Sequence, residues 1–565
     1  MLLPTVSSGV ALLCLFGESH ASPVLRRWGL DYKPSVVIKN GTVTGAYLPT
    51  FDQDAFLGVP FAQPPVGDLR LRRPQSLNTS FPGGTYEATE LSPFCPGVGS
   101  GTWSYPLSED CLRLNIIRPT GTNEGDKLPV GYWIYGGSFQ QGGNADQRHN
   151  ASYIVQRSVE MGKPIMVVSI NYRVAALGFM SSIELEKEGN LNLGLYDQRL
   201  GLHWVQENIA SFGGDPGSVT IWGESAGAMS VSNHLLAYAE KETSLFHAAI
   251  LESGTSLTSA FPKIETAYQP LFDKVVNETG CGQATEALAC LRGLSLEAFN
   301  ASASAFWWDL VIDGDLISTF PSSVLTTGDY VKVPLLIGGK FSRPSQARCA
   351  ALTKFVNAAN TDEGAVIAPK HMNTSADLKA AIRRSYPLLT NTSIETMLDL
   401  YPNDPRIGSP YGTGDNILKS GPLDKVSNSI YGDIFQIAGR RYLAEQMAEH
   451  RPVYSYRYNN PTENATIDVG VQHAAELPFV FSTGETLDNR PGDAELAHLM
   501  TSQWASFIHD HTPNNHGIPN ATEWPNYQEA ARNFVFQRQT SYIEDDDFRK
   551  EPIAFLNSLG TQLSH

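Results

Sequence analysis

Basic residues are in short supply. Lys and Arg together number 41 against 58 Asp and Glu, a formal charge of −17. That balance excludes nucleic acid and anionic membrane as electrostatic partners, and suits the solubility of an acidic exported protein. Beyond the N-terminus no apolar run is long enough to span a bilayer, so no transmembrane segment is expected. No internal repeat and no low-complexity linker interrupts the chain. The last residues, Gln562-Leu563-Ser564-His565, form neither a retention signal nor a lipid-anchor tail. No Cys/His cluster has metal-ligand spacing, so neither metal nor cofactor is expected.

Cysteine is also sparse, with six residues in 565. Cys95 and Cys111 are close in sequence, as are Cys281 and Cys290, and each pair can close a short loop. Cys14 falls in the N-terminal leader and Cys349 is left over.

What is present describes a globular, exported chain. The hydrophobic share is 42% and the aromatic share 10%. Residues 1–21 read as a signal peptide, with the apolar core Val10-Ala11-Leu12-Leu13-Cys14-Leu15-Phe16 and cleavage after Ala21. The leader lacks Lys and Arg ahead of that core. Residues 22–565 read as one continuous domain. Nine Asn-x-Ser/Thr sequons, at Asn40, Asn78, Asn150, Asn277, Asn300, Asn373, Asn391, Asn464 and Asn520, fit a secreted glycoprotein.

Strand signals recur along the chain. Val36-Lys39 and Gly41-Gly45 read as an N-terminal hairpin. Pro129-Tyr135, Pro164-Asn171, Val219-Trp222, Val333-Gly338 and Val453-Tyr458 read as further strands, and Gln198-Val205 as an intervening helix. The middle strands are apolar on both faces, which suits a parallel sheet covered by helices on both sides. Sites in such doubly wound α/β folds form at the carboxyl ends of strands.

The pentapeptide Gly223-Glu224-Ser225-Ala226-Gly227 follows one of these strands and precedes a helix-compatible run of small residues. This is the context of a nucleophile elbow, a turn so tight that only Gly fits on either side of the serine. Without that context the same letters describe a Gly/Ser turn with no chemistry. The strand ending at Tyr135 runs into Gly136-Gly137-Ser138-Phe139, where backbone N–H groups can approach a tetrahedral oxyanion. A plain turn is the alternative for that Gly pair taken alone.

Several ordered segments resemble the type-B carboxylesterase family, the cholinesterase and fungal lipase branch of α/β hydrolases. They are Phe56-Leu57-Gly58-Val59-Pro60-Phe61-Ala62-Gln63-Pro64-Pro65-Val66-Gly67, then Ser108-Glu109-Asp110-Cys111-Leu112-Arg113-Leu114-Asn115. Asn171-Tyr172-Arg173 with Leu177-Gly178-Phe179 follows. Phe212-Gly213-Gly214-Asp215-Pro216 leads into the elbow, and Trp524-Pro525-Asn526-Tyr527 lies near the end. The likeness covers nearly the whole mature chain. It implies an α/β-hydrolase fold, a mostly parallel central sheet with helices on both faces, and hydrolysis of a small-molecule ester without a cofactor.

Carried over residue by residue, the resemblance makes Ser225 the nucleophile and Glu363, in Asn360-Thr361-Asp362-Glu363-Gly364, the acid that orients the base. It makes His473, in Gly470-Val471-Gln472-His473-Ala474-Ala475-Glu476, that base. Asp362 is the rival acid; the family places the acid just before the Gly, which favours Glu363. The order Ser, Glu, His is the α/β-hydrolase order. The implied oxyanion donors are the N–H groups of Gly137, Ser138 and Ala226. Ser138 departs from the family, which usually has a third Gly there; its side chain bears on acyl preference.

In the family a first disulfide, here Cys95 to Cys111, brackets the loop that walls the gorge. Only fifteen residues separate these cysteines. That is much shorter than the lids of interfacially activated fungal lipases, and Pro96-Ser104 offers little apolar face to an oil surface. The expectation is an open-mouthed esterase for soluble or moderately apolar esters. A triacylglycerol lipase is the alternative within the class, and an inactive adhesion protein the alternative outside it. The aromatics Phe139, Trp307 and Trp308 are either pocket walls or core.

One segment breaks the family pattern. About twenty residues, from Gly339 to Ala359, intervene between the strand ending at Gly338 and Asn360, carrying Lys340, Arg343, Arg348, Lys354 and Cys349. A long insertion between a core strand and its catalytic acid is improbable in a compact fold. Gly339-Lys340-Phe341-Ser342 can be encoded with a splice-donor consensus, Leu352-Thr353 with a branch point, and Ala358-Ala359 permits a terminal AG. Residues 339–359 therefore read as a retained intron; a genuine surface loop is the alternative.

Overall fold

The computed structural model describes residues 32–99, 105–238, 244–338, 362, 364–461, 470–471, 473–484, 487 and 490–565. The expected signal peptide, the 339–359 segment with Cys349, the acid Glu363 and the sequon at Asn464 lie outside these residues.

Among the described residues two sheets form. The small one joins β1 (Ser35–Ile38), β2 (Gly41–Thr44) and β5 (Thr85–Glu87), and β1 and β2 are the expected antiparallel hairpin. The large one has eleven strands. In chain order they are β3 (Ala46–Leu48), β4 (Gln53–Pro60), β6 (Arg113–Pro119), β7 (Leu128–Ile134), β8 (Met166–Ile170) and β9 (Gly214–Glu224). There follow β10 (Ala248–Glu252), β11 (Leu335–Gly338), β12 (Val453–Tyr458), β13 (Arg532–Phe536) and β14 (Tyr542–Asp545). Their order across the sheet is β14-β13-β12-β11-β10-β9-β7-β8-β6-β4-β3.

The seven strands from β8 to β13 in that order run parallel, and antiparallel strands close both edges. All five residues of β8 and of β10 are buried, so these runs carry no polar face. Successive residues serve opposite faces. Tyr132, Val168, Ile221 and Leu251 pack into one core, while Trp133, Val167, Trp222 and Ile250 pack into a second. A third cluster is helical and lies off the sheet, built from Ser375–Ser385, Asn391–Leu400, Asp424–Gly432 and Lys550–Ser558.

Parallel strands present their carboxyl ends together. Here that edge gathers the ends of β7 at Ile134, β9 at Glu224, β10 at Glu252 and β11 at Gly338. Two disulfides bind the periphery, Cys95–Cys111 with S–S 2.03 Å and Cys281–Cys290 with S–S 2.05 Å.

Candidate active site

Ser225 stands between the end of β9 and the helix Ala226–Leu236, with φ 58° and ψ −124°. A non-glycine residue in that region carries strain of order 1–3 kcal/mol and persists only where its surroundings impose it. They do so here. Its N–H donates to the carbonyl of Glu252 at 2.8 Å, and its own carbonyl accepts from the N–H of Met229 at 2.9 Å. A methyl added to Gly227 would lie 2.0 Å from the carbonyl oxygen of Ile134, so β7 and the helix meet across that glycine. Ser225 is buried, and its Oγ has no hydrogen-bond partner among the described residues.

Gly136 lies against Ser225: a methyl there would sit 2.8 Å from its Cβ. The chain then turns through Gly137, Ser138 and Phe139 with φ of 109°, 58° and 60°. The N–H groups of Gln140 and Gln141 both donate to the carbonyl of Gly137, at 2.9 and 3.2 Å, closing the turn. Among the described residues the N–H groups of Gly137, Ser138 and Ala226 donate no hydrogen bond. Three donors are thus left near Ser225, one of them at a helix N-terminus. Phe139 and Trp308 are buried core residues, Phe139 against Phe179 and Trp308 against Tyr268; Trp307 is half-buried with its indole on Asp309.

His473 is brought to this place by the segment after β12. Its Nε2 lies 3.1 Å from Oε1 of Glu224, the residue before the nucleophile. No hydrogen bond joins His473 to Ser225 Oγ in this arrangement.

Of the two acids Asp362-Glu363, Asp362 is the one among the described residues. Asp362 is buried, and its Oδ1 accepts from the N–H of Tyr411 at 2.6 Å and the hydroxyl of Ser409 at 3.3 Å. Its Oδ2 accepts from the N–H of Val471 at 3.3 Å. Asp362 therefore ties the histidine-bearing segment to the 409–411 loop through the backbone. Glu363 is outside the described residues.

A buried acidic cluster behind His473 went unseen in the sequence. Glu224, Glu252 and Glu476 are all buried, from β9, β10 and the segment after His473. Oε1 of Glu252 accepts both indole N–H groups of Trp222 and Trp504 at 2.5 Å. Oε1 of Glu476 accepts the hydroxyl of Ser253 at 2.9 Å. Burial, and then the charges of Glu476 and Glu252, push the Glu224 carboxyl well above the usual range, with Arg148 opposing. Burial and the charge of Glu476 do the same to Glu252. Burial raises Glu476 to about 7. Three carboxyls this close cannot all ionise at neutral pH. Two of them were visible in sequence only as neighbours of Ser225 and His473; the sheet unites them.

The bracketed loop is anchored at its described ends. Phe94 stacks on Tyr105 at 4.2 Å, and the N–H of Val98 donates to the carbonyl of Gln140 at 2.8 Å. Of the sequons, Asn78, Asn277, Asn373, Asn391 and Asn520 are exposed and Asn150 and Asn300 half-buried. Asn40 differs. It is 5% exposed, and its Nδ2 donates to the carbonyls of Leu77 and Thr79 at 2.9 and 2.8 Å. A glycan on that nitrogen would compete with the fold.

A strained serine between a parallel strand and a helix, at the carboxyl edge of a doubly wound sheet, defines an α/β hydrolase. The chain belongs to the carboxylesterase family, whose model matches residues 32–555. It is 33% identical over 564 residues to the secreted triacylglycerol lipase LIP1 of Gibberella zeae, covering 93% of this chain and 90% of that protein. It is 33% identical over 579 residues to lipase 5 of Diutina rugosa, covering 94% and 96%. The crystal structure of EstA from Aspergillus niger superposes with a TM-score of 0.79 at 29% identity, covering 95% of this chain and all of that one. The chain is a carboxylic ester hydrolase. No helix among the described residues is long and apolar enough to cross a membrane.

Proposed function

We propose that this is a secreted serine esterase acting through an acyl-enzyme on Ser225. The observation that carries it is the left-handed Ser225 with its buried Oγ beside three undonated N–H groups. His473 takes the proton from Oγ as it attacks the ester carbon, then returns it to the leaving alcohol. Glu363 orients the imidazole and stabilises the imidazolium. The N–H groups of Gly137, Ser138 and Ala226 receive the oxyanion. Water repeats the cycle and frees the acid. The leader at residues 1–21, the exposed sequons and the names of relatives described as secreted support export.

The substrate is a soluble or moderately apolar ester. The fifteen-residue loop between Cys95 and Cys111 and its anchorage on Gln140 support this reading. Triacylglycerol lipase is the second reading, favoured by the names of the Gibberella zeae and Diutina rugosa relatives. Hydrolysis of p-nitrophenyl esters of rising acyl length, beside emulsified triolein, separates the two. The expected profile peaks at short chains, with no jump in rate once substrate forms an emulsion. Ser225→Ala and His473→Ala should each lower kcat by a factor on the order of 10³ or more. Retention of activity in Ser225→Ala defeats the acyl-enzyme, and triolein as the best substrate defeats the esterase reading.

A further inference from the structure

The helix from Asp424 to Ala448 is not regular. Residues Asp433–Ile437 form a π-turn between the α-helical stretches Asp424–Gly432 and Ala438–Ala448. Such turns are rare and gather at functional sites. Gln436 projects from this one, fully buried, and its Nε2 donates to the carbonyl of Ser253 at 3.2 Å.

Ser253 is an unusual residue to receive that bond. It follows β10, is fully buried, and has φ 61°. Its N–H donates to the carbonyl of Gly338 at 2.6 Å, and its hydroxyl to Oε1 of Glu476 at 2.9 Å. The residue before it, Glu252, holds the N–H of Ser225. A methyl on Gly254, the residue after it, would lie 2.5 Å from the carbonyl oxygen of Ser225. Glu252-Ser253-Gly254 is therefore the platform on which the elbow rests. The same helix backs it again one turn later, where a methyl on Gly439 would lie 2.7 Å from Oγ1 of Thr255.

We propose that Gln436 is a positioning residue for ester hydrolysis: from the π-turn it fixes the left-handed Ser253, whose hydroxyl holds Glu476 in the carboxyl cluster behind His473. The proposal rests on His473 as the general base. A left-handed Ser253 is strained and needs an external hold. The Gln436 amide supplies one on the carbonyl side, as the Gly338 carbonyl does on the N–H side. If the amide is lost, Ser253 can relax, its hydroxyl leaves Glu476, and the carboxyls around His473 rearrange. Among the described residues neither Gln436 nor the Ser253 hydroxyl bonds to the oxyanion turn, so the expected loss falls on kcat rather than KM.

The test is Gln436→Met, close in volume but unable to donate, measured on the full-length enzyme with a p-nitrophenyl ester. Active sites are counted by titration with a p-nitrophenyl phosphonate. kcat per titrated site should fall about tenfold, the equivalent of one hydrogen bond, with KM unchanged. Ser253→Ala keeps the bond from Gln436 and removes only the hydroxyl, so it should reproduce the loss. The double variant should be no worse than either single one. A merely structural role would lower yield or melting temperature while leaving kcat per site intact, and that result overturns the proposal. Should Gln436→Met fail to accumulate, an unchanged kcat in Ser253→Ala overturns it equally. Activity surviving in His473→Ala would instead show that the base has been misassigned.

Discussion

At the residue scale the elbow turn was legible in the residues themselves, whereas the base and acid proposed for it were legible only through resemblance. Gly223-Glu224-Ser225-Ala226-Gly227 encodes a local steric fact, since β7 approaches Gly227 too closely for any side chain. Such a fact is written in five consecutive letters. His473 and Glu363 stand far from the elbow along the chain, and only resemblance picks them out. The carboxyls of Glu224 and Glu252 meet because β9 and β10 end together, and Glu476 joins them from the segment after His473, which no single segment reveals. Asp362 and Glu363 can be told apart by experiment. The Asp362 carboxylate is occupied by the N–H groups of Tyr411 and Val471 and the hydroxyl of Ser409. Asp362→Asn turns one acceptor oxygen into a donor facing these groups. It should lower stability by about 1–3 kcal/mol in denaturant unfolding, with kcat per titrated site little altered. Glu363→Gln should leave stability alone and lower kcat on the order of 10³- to 10⁴-fold. The reverse pattern would make Asp362 the orienting acid.

At the element scale, strands buried on both faces declared themselves and others did not. β7, β8, β11 and β12 fall within a residue or two of the apolar runs that announce them. β9 extends from Gly214 to Glu224, well beyond the expected Val219-Trp222, because its early part pairs with Leu128 at the start of β7. β4 and β6 were legible only as motif segments. Their alternation is blurred by buried polar residues such as Asp54, Asn115 and Arg118, which satisfy one another or nearby backbone. The Cys95–Cys111 loop carries its own test. A methyl on Gly97 would meet the carbonyl oxygen of Gln140 at 2.3 Å and Cγ2 of Val174 at 2.8 Å. Both neighbours are buried, and Gln140 follows directly on the turn that bears the undonated N–H groups. Gly97→Ala should therefore shift that turn and reduce kcat at least about tenfold, as loss of well-placed oxyanion donors does. The rate of phosphonylation of Ser225 should fall in parallel. Unchanged rates of both would show that loop and turn move independently.

At the scale of the whole molecule the architecture was readable because each level agrees with the next. Apolar strands, an intervening helix and an elbow at the carboxyl edge all demand the same doubly wound sheet. The helical cluster around Ile382, Met397, Ile430 and Leu556 was not foreseen, since its apolar positions are shared among short helices far apart in sequence. The segment from Gly339 to Ala359 departs from the family pattern read in the sequence. β11 ends at Gly338, whose carbonyl holds the N–H of Ser253, and Asp362 is already tied to Val471. A catalytic acid belongs close behind its strand, so the intervening residues add length where the fold asks for little. They also bring four cations and no acid, and without them the formal charge moves from −17 to −21. We propose a retained intron, which would account for the length, the odd cysteine and the charge together. Tryptic digestion of the enzyme secreted by its native host should therefore yield no peptide Cys349–Lys354, released by cleavage after Arg348 and Lys354. A recombinant chain joining Gly338 to Ala359 should hydrolyse p-nitrophenyl esters at least as fast per titrated site as the full-length chain. Detection of the Cys349 peptide, together with loss of activity in the shortened chain, would make the segment a genuine part of the enzyme.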